Sequence, residues 1–416
     1  MNVTQASHYR IPERWMRYDP LAVAGALVEA RTAAGVLNRL PYLPAWIEQV
    51  HKEQLRLEAV GTTRIEGADF TPDEERQALA PGADTGELTH SQRQLRSANA
   101  AYEWIRSRPP GQPVSIGVIL AIHRLIVTGC DDDHCEPGAL RRDGANVTFG
   151  APVCRGAEGG EECQAVFDDL LRAVATKFKA HDRIVQAMAV HYHLGAMHPF
   201  DDGNGRAARA AEALMLRTAG VNDQVMVSLS NYYYEHQSEY LAALYESRER
   251  GHDLTPFLLF ALRALADRCN AVADQITAHT KRALFREFAQ SLFSKLSSPR
   301  RRVLAERQLH ILTALLDKGE MSLQALYSQI RAHYTGLKHP NRAAVRDLMH
   351  LLNFSAVDFR REQGTLYLAI NLDWPQRFSE TELMKRIEEL PTSASAAAPA
   401  LPDLARLLGR DGERRA

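Results

Sequence analysis

The sequence is most constrained at a short polar turn, residues 198–209, which reads HPFDDGNGRAAR. The apolar stretches on either side of it, residues 184–197 and 207–218, have the periodicity of helices. Gly203 and Gly205 allow the positive φ angles with which successive backbone amides can point into one concavity. We therefore predict a tight turn between two helices, with an anion site at the start of the second helix.

The side chains of this turn suit a polyphosphate. Arg206 and Arg209 are three residues apart, so they share one face of the second helix. Asp202 is a hard oxygen ligand that can hold Mg²⁺ when phosphates supply further oxygens. His198 ends the preceding helix, and a histidine with a pKa near neutrality can take a proton from a hydroxyl. With the glycine amides and Asn204, these residues predict nucleotidyl or phosphoryl transfer.

The turn resembles the signature of the Fic family, HxFx(D/E)GNGRxxR, at every defined position. The resemblance implies a protein adenylyltransferase, which transfers AMP from ATP to a side-chain hydroxyl of a target protein. It implies that His198 is the general base, that Asp202 is the Mg²⁺ ligand and that Arg209 contacts the γ-phosphate. The positions that it assigns to the nucleotide within the turn are Gly203, Asn204, Gly205, Arg206, Ala207, Ala208 and Arg209.

A second motif lies far upstream, at residues 62–67, TTRIEG. From the residues alone, the apolar helix over 43–60 is expected to break at Gly61, and Thr62 to cap a short helical turn that stops at Gly67. The segment also fits the inhibitory motif of the Fic family, (S/T)xxxE(G/N). The resemblance implies that Glu66 lies beside the nucleotide and pairs with an arginine of the turn, as a carboxylate competing with a phosphate.

That arginine is Arg209, and the pair would leave ATP bound unproductively. Two further regions follow from the resemblance. The predicted hairpin around residues 141–153 corresponds to the flap along which Fic proteins bind their targets by strand addition. Tyr240 and Leu241 correspond to a tyrosine pair that lines the adenine pocket in many members, although here the second residue is not aromatic.

The fold class predicted from these patterns is mostly α, a Fic-type helical core with a β-hairpin flap and a C-terminal winged-helix domain. Three helical stretches and two strand-like stretches, separated by Arg361-Glu362-Gln363-Gly364, indicate the winged helix. We predict an N-terminal helical region over 1–110, a catalytic core over 111–285, the winged helix over 300–375 and a flexible Pro/Ala/Ser-rich tail over 391–416.

Composition limits the class of protein. The formal net charge of −1 gives no support to nucleic-acid binding by the chain as a whole. Its 5 cysteines form no CxxC pair, which favours free thiols in a reducing compartment over a disulfide framework. We find neither an apolar signal core at the N-terminus nor an apolar stretch of membrane-spanning length. The sequence thus predicts a soluble, cytoplasmic protein without a membrane partner.

Two polar clusters could be sites of another kind. His191 and His193 could suggest a metal site, but residues two apart on a helix face different directions, which favours core histidines. The acidic run over 131–133, followed by His134 and Cys135, is more typical of a solvated loop.

In the C-terminal region, Arg342, Arg346 and His350 recur every four residues and could face DNA. Asp347 weakens that face, and a docking or dimerising surface is the alternative.

We therefore predict an ATP-dependent adenylyltransferase that requires Mg²⁺ and is restrained by Glu66. The alternatives are a DNA-binding regulator whose Fic core senses nucleotide, a phosphotransferase, and an enzyme that removes AMP. The expected partner is a target protein bound along residues 141–153, while self-modification, a homodimer and DNA stay open. The sequence does not indicate the target or the signal that releases Glu66.

Overall fold

The computed structural model describes residues 8–82, 88–109, 111–130, 135–150, 152–221, 225–294, 299–376, 381–382 and 385. The chain divides into two compact units, Met1–Ile276 and Thr277–Ala416. The predicted inhibitory segment and the signature turn belong to the first unit, and the predicted winged helix to the second. The tail and the acidic run over 131–134 lie outside the described residues.

In the described residues of the first unit, the regular structure is helical apart from one small hairpin, which confirms the prediction of a mostly α fold. Its first helices are α1 (Pro20–Arg39), α2 (Pro44–Ile65), α3 (Pro72–Leu79), α4 (His90–Ser107) and α5 (Ile116–Val127). The hairpin strands β1 (Thr148–Phe149) and β2 (Cys154–Arg155) follow. The remaining helices are α6 (Glu161–Ala175), α7 (Arg183–Met197), α8 (Asn204–Thr218), α9 (Leu229–Glu235), α10 (Gln237–Glu249) and α11 (Thr255–Ser294), the last of which continues into the second unit.

Helix α2 corrects the predicted break at Gly61. The helix continues to Ile65, so Thr62 lies in its last turns rather than at the start of a new one. Glycine is required at position 61 for packing, because a Cβ there would lie 2.5 Å from the backbone nitrogen of Asn231 at the start of α9. The close approach of the two helices outweighs the low helix propensity of glycine. The predicted stop at Gly67 is confirmed by its φ of +89°.

Helix α7 forms the centre of the first core. Nearly all of its side chains are buried, including Val185, Met188 and Met197. A helix that is apolar on all sides must be surrounded by other elements, and α7 packs against α8 along its length. This arrangement fixes the turn between the two helices in the middle of the unit.

Helix α1 qualifies the prediction about membrane spans. Among the described residues it alone is long and apolar enough to cross a membrane by length and composition, with a mean hydropathy of 1.3. Its Ala30, Ala33, Ala34 and Leu37 are buried in the first core. On its other side, Leu21 and Val28 are exposed.

The second unit contains α12 (Pro299–Lys318), β3 (Met321–Ser322), α13 (Leu323–Ile330), α14 (Pro340–Asn353), β4 (Val357–Glu362) and β5 (Thr365–Ile370). The strands form an antiparallel sheet in the order β3-β5-β4. Gln363 and Gly364 connect β4 to β5 with positive φ angles of 50° and 79°, as a two-residue hairpin turn requires. The predicted helices and hairpin are present, while the assignment to the winged-helix class stays a prediction.

The predicted basic face of α14 is corrected by the structure. His350 is buried and lies 3.2 Å from the amide of Gln308, so it cannot reach a DNA backbone. Arg346 is turned toward the buried carboxylate of Asp347. Of the predicted basic face, only Arg342 is classed as exposed.

Candidate active site

The signature turn is closed by its own polar groups. The side chain of Asn204 accepts a hydrogen bond from the Phe200 amide at 2.9 Å and donates one to the Phe200 carbonyl at 2.8 Å. Gly203 has the positive φ of 73° that turns the chain into α8. The predicted contact between the Asn204 side chain and phosphate is therefore corrected, because that side chain is buried and committed to the turn.

His198 ends α7 in the left-handed conformation, with a φ of 48°. Its Nδ1 lies 2.5 Å from the Gly195 carbonyl, which can only accept, so Nδ1 carries the proton and Nε2 has the free lone pair. Burial lowers the pKa of His198 to about 4. The imidazole is therefore neutral near pH 7, as a general base must be. The Phe149 ring of the hairpin stacks on it at a centroid distance of 3.6 Å.

Asp202 and Arg206 form an ion pair across the first turn of α8. The Nη2 of Arg206 lies 2.7 Å from a carboxylate oxygen of Asp202, whose side chain is 39% exposed. Arg206 itself is buried, and its Nε and Nη1 have no hydrogen-bond partner among the described residues. Buried guanidinium donors without acceptors are costly. The first turn of α8 therefore offers unused positive groups to an anion.

Arg209 is held by the end of α2. Its Nε donates to the Thr62 hydroxyl at 2.8 Å, and its Nη2 donates to the Thr62 carbonyl at 3.1 Å and to Glu66 at 2.5 Å. The Glu66 carboxylate also lies directly against the start of α8, since a Cβ on Gly205 would be 2.2 Å from its oxygen. The two predicted inhibitory residues thus converge on the predicted γ-phosphate ligand.

Ala207 and Ala208, which were predicted to contact the nucleotide, lie inside the helix. Ala207 donates its amide to the Gly203 carbonyl at 2.8 Å, so this amide is not available to a phosphate. Ala208 is fully buried. Ala207 and Ala208 therefore pack inside the helix and do not contact a nucleotide, which corrects the prediction. The amides at the free end of α8 belong to the residues before them.

The structure separates the predicted pair Tyr240 and Leu241. Leu241 is 47% exposed and lines an apolar pocket together with Phe149 of the hairpin. Tyr240 is buried, stacks on Tyr233 and does not line this pocket. Tyr240 and Leu241 therefore point in different directions, as successive residues of a helix do, and the assignment of Tyr240 to the adenine pocket stays a prediction.

His191 and His193 also point in different directions. His191 contacts Glu212 and Tyr240 at 3.0 and 2.9 Å, while His193 lies 2.6 Å from the Trp15 carbonyl. No group of metal-ligating side chains large enough to hold an ion is present among the described residues. All five cysteines are buried free thiols.

Two residues hold the turn from outside, and the sequence did not indicate their roles. His123 of α5 stacks on Phe200 at 3.7 Å and lies 3.0 Å from the Asp202 carbonyl. Arg141, at the base of the hairpin, is buried and donates to the carbonyls of His198 at 2.8 Å and Ala145 at 2.6 Å. Arg141 thereby connects the hairpin to the backbone of the predicted base.

Comparisons with known proteins match the segment that carries this site. Residues 113–216 match the model of the Fic/DOC family. The chain is 26% identical over 253 residues to the protein adenylyltransferase fic-1 of Caenorhabditis briggsae, covering 59% of this chain and 47% of that protein. It is also 26% identical over 227 residues to the protein adenylyltransferase Fic of Culex quinquefasciatus, covering 54% and 43%. The chain thus spans less than half the length of these relatives.

Solved structures of Fic proteins have a similar fold. A Fic family protein from Desulfovibrio desulfuricans matches with a TM-score of 0.51 and 20% identity, over 87% of this chain and 98% of that one. Fic-1 from C. elegans matches with a TM-score of 0.50 and 21% identity, over 63% and 74%. The predicted helical Fic core is thereby confirmed. The matched residues 113–216 include the complete signature turn, so the segment that carries the candidate site is similar to the Fic/DOC family.

Proposed function

We propose that the protein is an ATP-dependent protein adenylyltransferase that is held inactive by its own Glu66. The observation that carries the proposal is the contact of the Glu66 carboxylate with Arg209 at the free end of α8. An anion already lies where the helix amides and an arginine favour a negatively charged group. A phosphate chain needs the same positive groups.

The chemistry assigned to His198 follows from its tautomer. With Nδ1–H donating to Gly195, Nε2 takes the proton of the target hydroxyl as its oxygen bonds to the α-phosphorus of ATP. The bond between that phosphorus and the bridging oxygen breaks, and diphosphate leaves. The products are the AMP ester of the target and diphosphate, and the proton on His198 is returned to solvent. Because burial lowers the pKa of His198 to about 4, the ring is unprotonated at pH 7 and the lone pair of Nε2 is available.

The first turn of α8 provides the phosphate site. The free amides of Asn204, Gly205 and Arg206 can donate to phosphate oxygens, and the Nε and Nη1 of Arg206 have no other acceptor among the described residues. Asp202 is the carboxylate that would hold Mg²⁺, with phosphates and water supplying its other oxygens. When bound, Mg²⁺ would neutralise phosphate charge.

The proposed inhibition by Glu66 follows from the hydrogen-bond donors of the Arg209 guanidinium. The Glu66 side chain is 37% exposed, whereas that of Arg209 is 2% exposed. The arginine is therefore fixed, and the carboxylate is the partner that can leave. Since carboxylates and phosphates bind the same guanidinium donors, Glu66 competes with the γ-phosphate.

The hairpin is the proposed site of the target. Strands β1 and β2 are short, and the Phe149 ring covers the imidazole of His198. A target segment that adds to this hairpin would lie beside Phe149 and bring its hydroxyl toward the imidazole of His198. We place the reaction in the cytoplasm because the cysteines are free thiols.

Labelled ATP tests the proposal directly. A cell extract is incubated with Mg²⁺ and ATP carrying the label at either the α- or the γ-phosphate, with wild type or with Glu66→Gly. We expect Glu66→Gly to transfer the α-label to protein at least about tenfold more than wild type, an effect of about 1.4 kcal/mol. Adding His198→Ala to Glu66→Gly should abolish the label.

The matched control is Asp69→Gly, which removes an exposed carboxylate three residues from Glu66. It should label protein as weakly as wild type does. Transfer of the γ-label instead would identify a phosphotransferase, and α-labelling that survives His198→Ala would refute the proposal.

A further inference from the structure

A buried chain of hydrogen bonds connects Arg209 to a carboxylate that the proposed chemistry does not use. The Nη1 of Arg209 lies 3.4 Å from the Tyr240 hydroxyl, which lies 2.9 Å from Nε2 of His191. Nδ1 of His191 lies 3.0 Å from Glu212. The chain crosses three helices, because Tyr240 belongs to α10, His191 to α7 and Glu212 to α8.

The donors in this chain can be assigned from its ends. The Glu212 carboxylate only accepts, so Nδ1 of His191 carries the proton and Nε2 accepts from the Tyr240 hydroxyl. Arg209 only donates, so the Tyr240 oxygen accepts from Nη1. Burial raises the pKa of Tyr240 to about 12, which keeps its hydroxyl protonated. The Tyr233 hydroxyl donates to Glu212 at 3.1 Å from the other side.

All four members of the chain are buried, with Glu212 and His191 each 1% exposed. A buried carboxylate and a buried guanidinium are both costly unless they are compensated. Here the charge of Arg209 is linked to that of Glu212 through the Tyr240 hydroxyl and the His191 imidazole. Hydrogen bonds in such chains polarise and strengthen one another.

This chain of hydrogen bonds contacts one edge of the Arg209 guanidinium. Thr62 holds Nε and Nη2 of Arg209, while Tyr240 is the partner of Nη1. Nη1 lies 3.1 Å from the position that a Cβ on Gly205 would take, so this edge faces the free end of α8. The orientation of Nη1 thus depends on Tyr240, whereas Nη2 is the nitrogen that Glu66 already occupies.

We propose that Glu212, His191 and Tyr240 are positioning residues which hold the Nη1 edge of Arg209 toward the γ-phosphate, and so set the preference of the site for ATP over ADP. The inference rests on the proposed function, because it takes Arg209 as the γ-phosphate ligand. It assigns the buried histidine and glutamate a role in nucleotide selection rather than in metal binding or in core packing alone.

Calorimetric titration with ATP and with ADP, in the Glu66→Gly background, tests this inference. Tyr240→Phe should weaken ATP binding about fivefold and leave ADP binding unchanged, because ADP has no γ-phosphate. Glu212→Gln, which keeps the shape and removes the charge, should change ATP affinity in the same direction. The matched control is Tyr18→Phe, which removes another tyrosine–histidine hydrogen bond of 3.0 Å, to His181.

The outcomes separate the alternatives. An equal loss of ATP and ADP affinity, or no loss of either, would show that the chain has only a structural role and would overturn the inference. If Glu66→Gly binds neither nucleotide, the proposed function falls as well. Thermal melting of each variant identifies a general loss of folding, since Tyr240→Phe should keep the melting temperature of its parent to within a few degrees.

Discussion

Two ion pairs, one in each unit, differ in whether the carboxylate is buried. In the first unit, the arginine is enclosed and the carboxylate is not, since the side chain of Arg209 is 2% exposed and that of Glu66 is 37% exposed. In the second unit, the carboxylate is enclosed. The Asp347 side chain is 0% exposed and is held by Arg307 at 2.7 Å, by Arg346 at 2.9 Å and by the Tyr334 hydroxyl at 3.2 Å.

The difference separates an exchangeable pair from a permanent one. Asp347 is fully buried and has three partners, of which Arg307 and Tyr334 come from other elements and Arg346 from its own helix. Glu66 has one arginine partner and is open to solvent, so another anion can take its place. Which partner of the ion pair is buried, rather than the distance between the two partners, indicates whether the arginine can bind a ligand.

Acid should destabilise the first unit more than the second. Burial lowers the pKa of His51, His123, His198 and His252 to about 4 and that of His193 to about 3, and all five are in the first unit. In the second unit, burial lowers the pKa of two histidines, His310 and His350. A histidine with a lowered folded pKa contributes stability above the unfolded pKa of about 6.5 and loses it as the pH falls toward 4. We expect a loss of several kcal/mol in total, at about 1 kcal/mol or more per histidine.

Hydrogen exchange measured by mass spectrometry at pH 7 and pH 5, after correction for the intrinsic rates, resolves the two units. Glu58 opposes the effect, because burial raises the pKa of its carboxyl to about 7, but it is a single group. Equal loss of protection in α7 and α14 would contradict the expected asymmetry.

Asp347→Asn should destabilise the second unit by about 3 kcal/mol, because the buried Arg307 would lose its counter-charge. Denaturant unfolding measures the change. Asp317→Asn is the control, since its pair with Arg286 is exposed on both sides, and it should cost less than about 1 kcal/mol. If the two substitutions cost the same, burial does not distinguish these pairs.

Phe149→Ala should raise the pKa of His198 from about 4 toward its ordinary value, because the stacked ring is part of what buries the imidazole. NMR titration of labelled histidines measures the shift. Phe359→Ala, which removes an exposed phenylalanine of the second unit, should leave the His198 titration unchanged. A His198 pKa that stays near 4 without Phe149 would show that the hairpin does not control the base.

Glu66→Gln is expected to have the smallest effect on stability, below about 1 kcal/mol, since its carboxylate is partly exposed and an amide can still accept from Arg209. Thermal unfolding is the measurement. A loss as large as that of Asp347→Asn would mean that Glu66 is a structural partner rather than an exchangeable one.

Much of the fold was predictable because its signals are local. Helix α7 was predicted to within one residue of its observed bounds, and α8 was predicted with its observed end at Thr218, because apolar periodicity sets both. The turn was predictable from Gly203 and its required φ. The break at Gly61 was wrong because its cause is a contact with α9, far away in the sequence.

The limits of the site prediction have the same origin. Asn204, Ala207 and Ala208 belong to the signature, yet only the three-dimensional contacts show that they serve the turn and the helix. The roles of Arg141 and His123 depend on carbonyl groups of another segment, which leave no pattern in the sequence. Tyr240 and Leu241 were predicted as one pair, whereas the structure buries the first and exposes the second.

The central claim is that Glu66 and the γ-phosphate compete for Arg209. Calorimetry of ATP and ADP binding to wild type and to Glu66→Gly measures this competition most directly. We expect wild type to bind both nucleotides with similar affinity, and Glu66→Gly to bind ATP at least about tenfold more tightly than ADP. The same ratio of ATP to ADP affinity in both proteins would contradict the account.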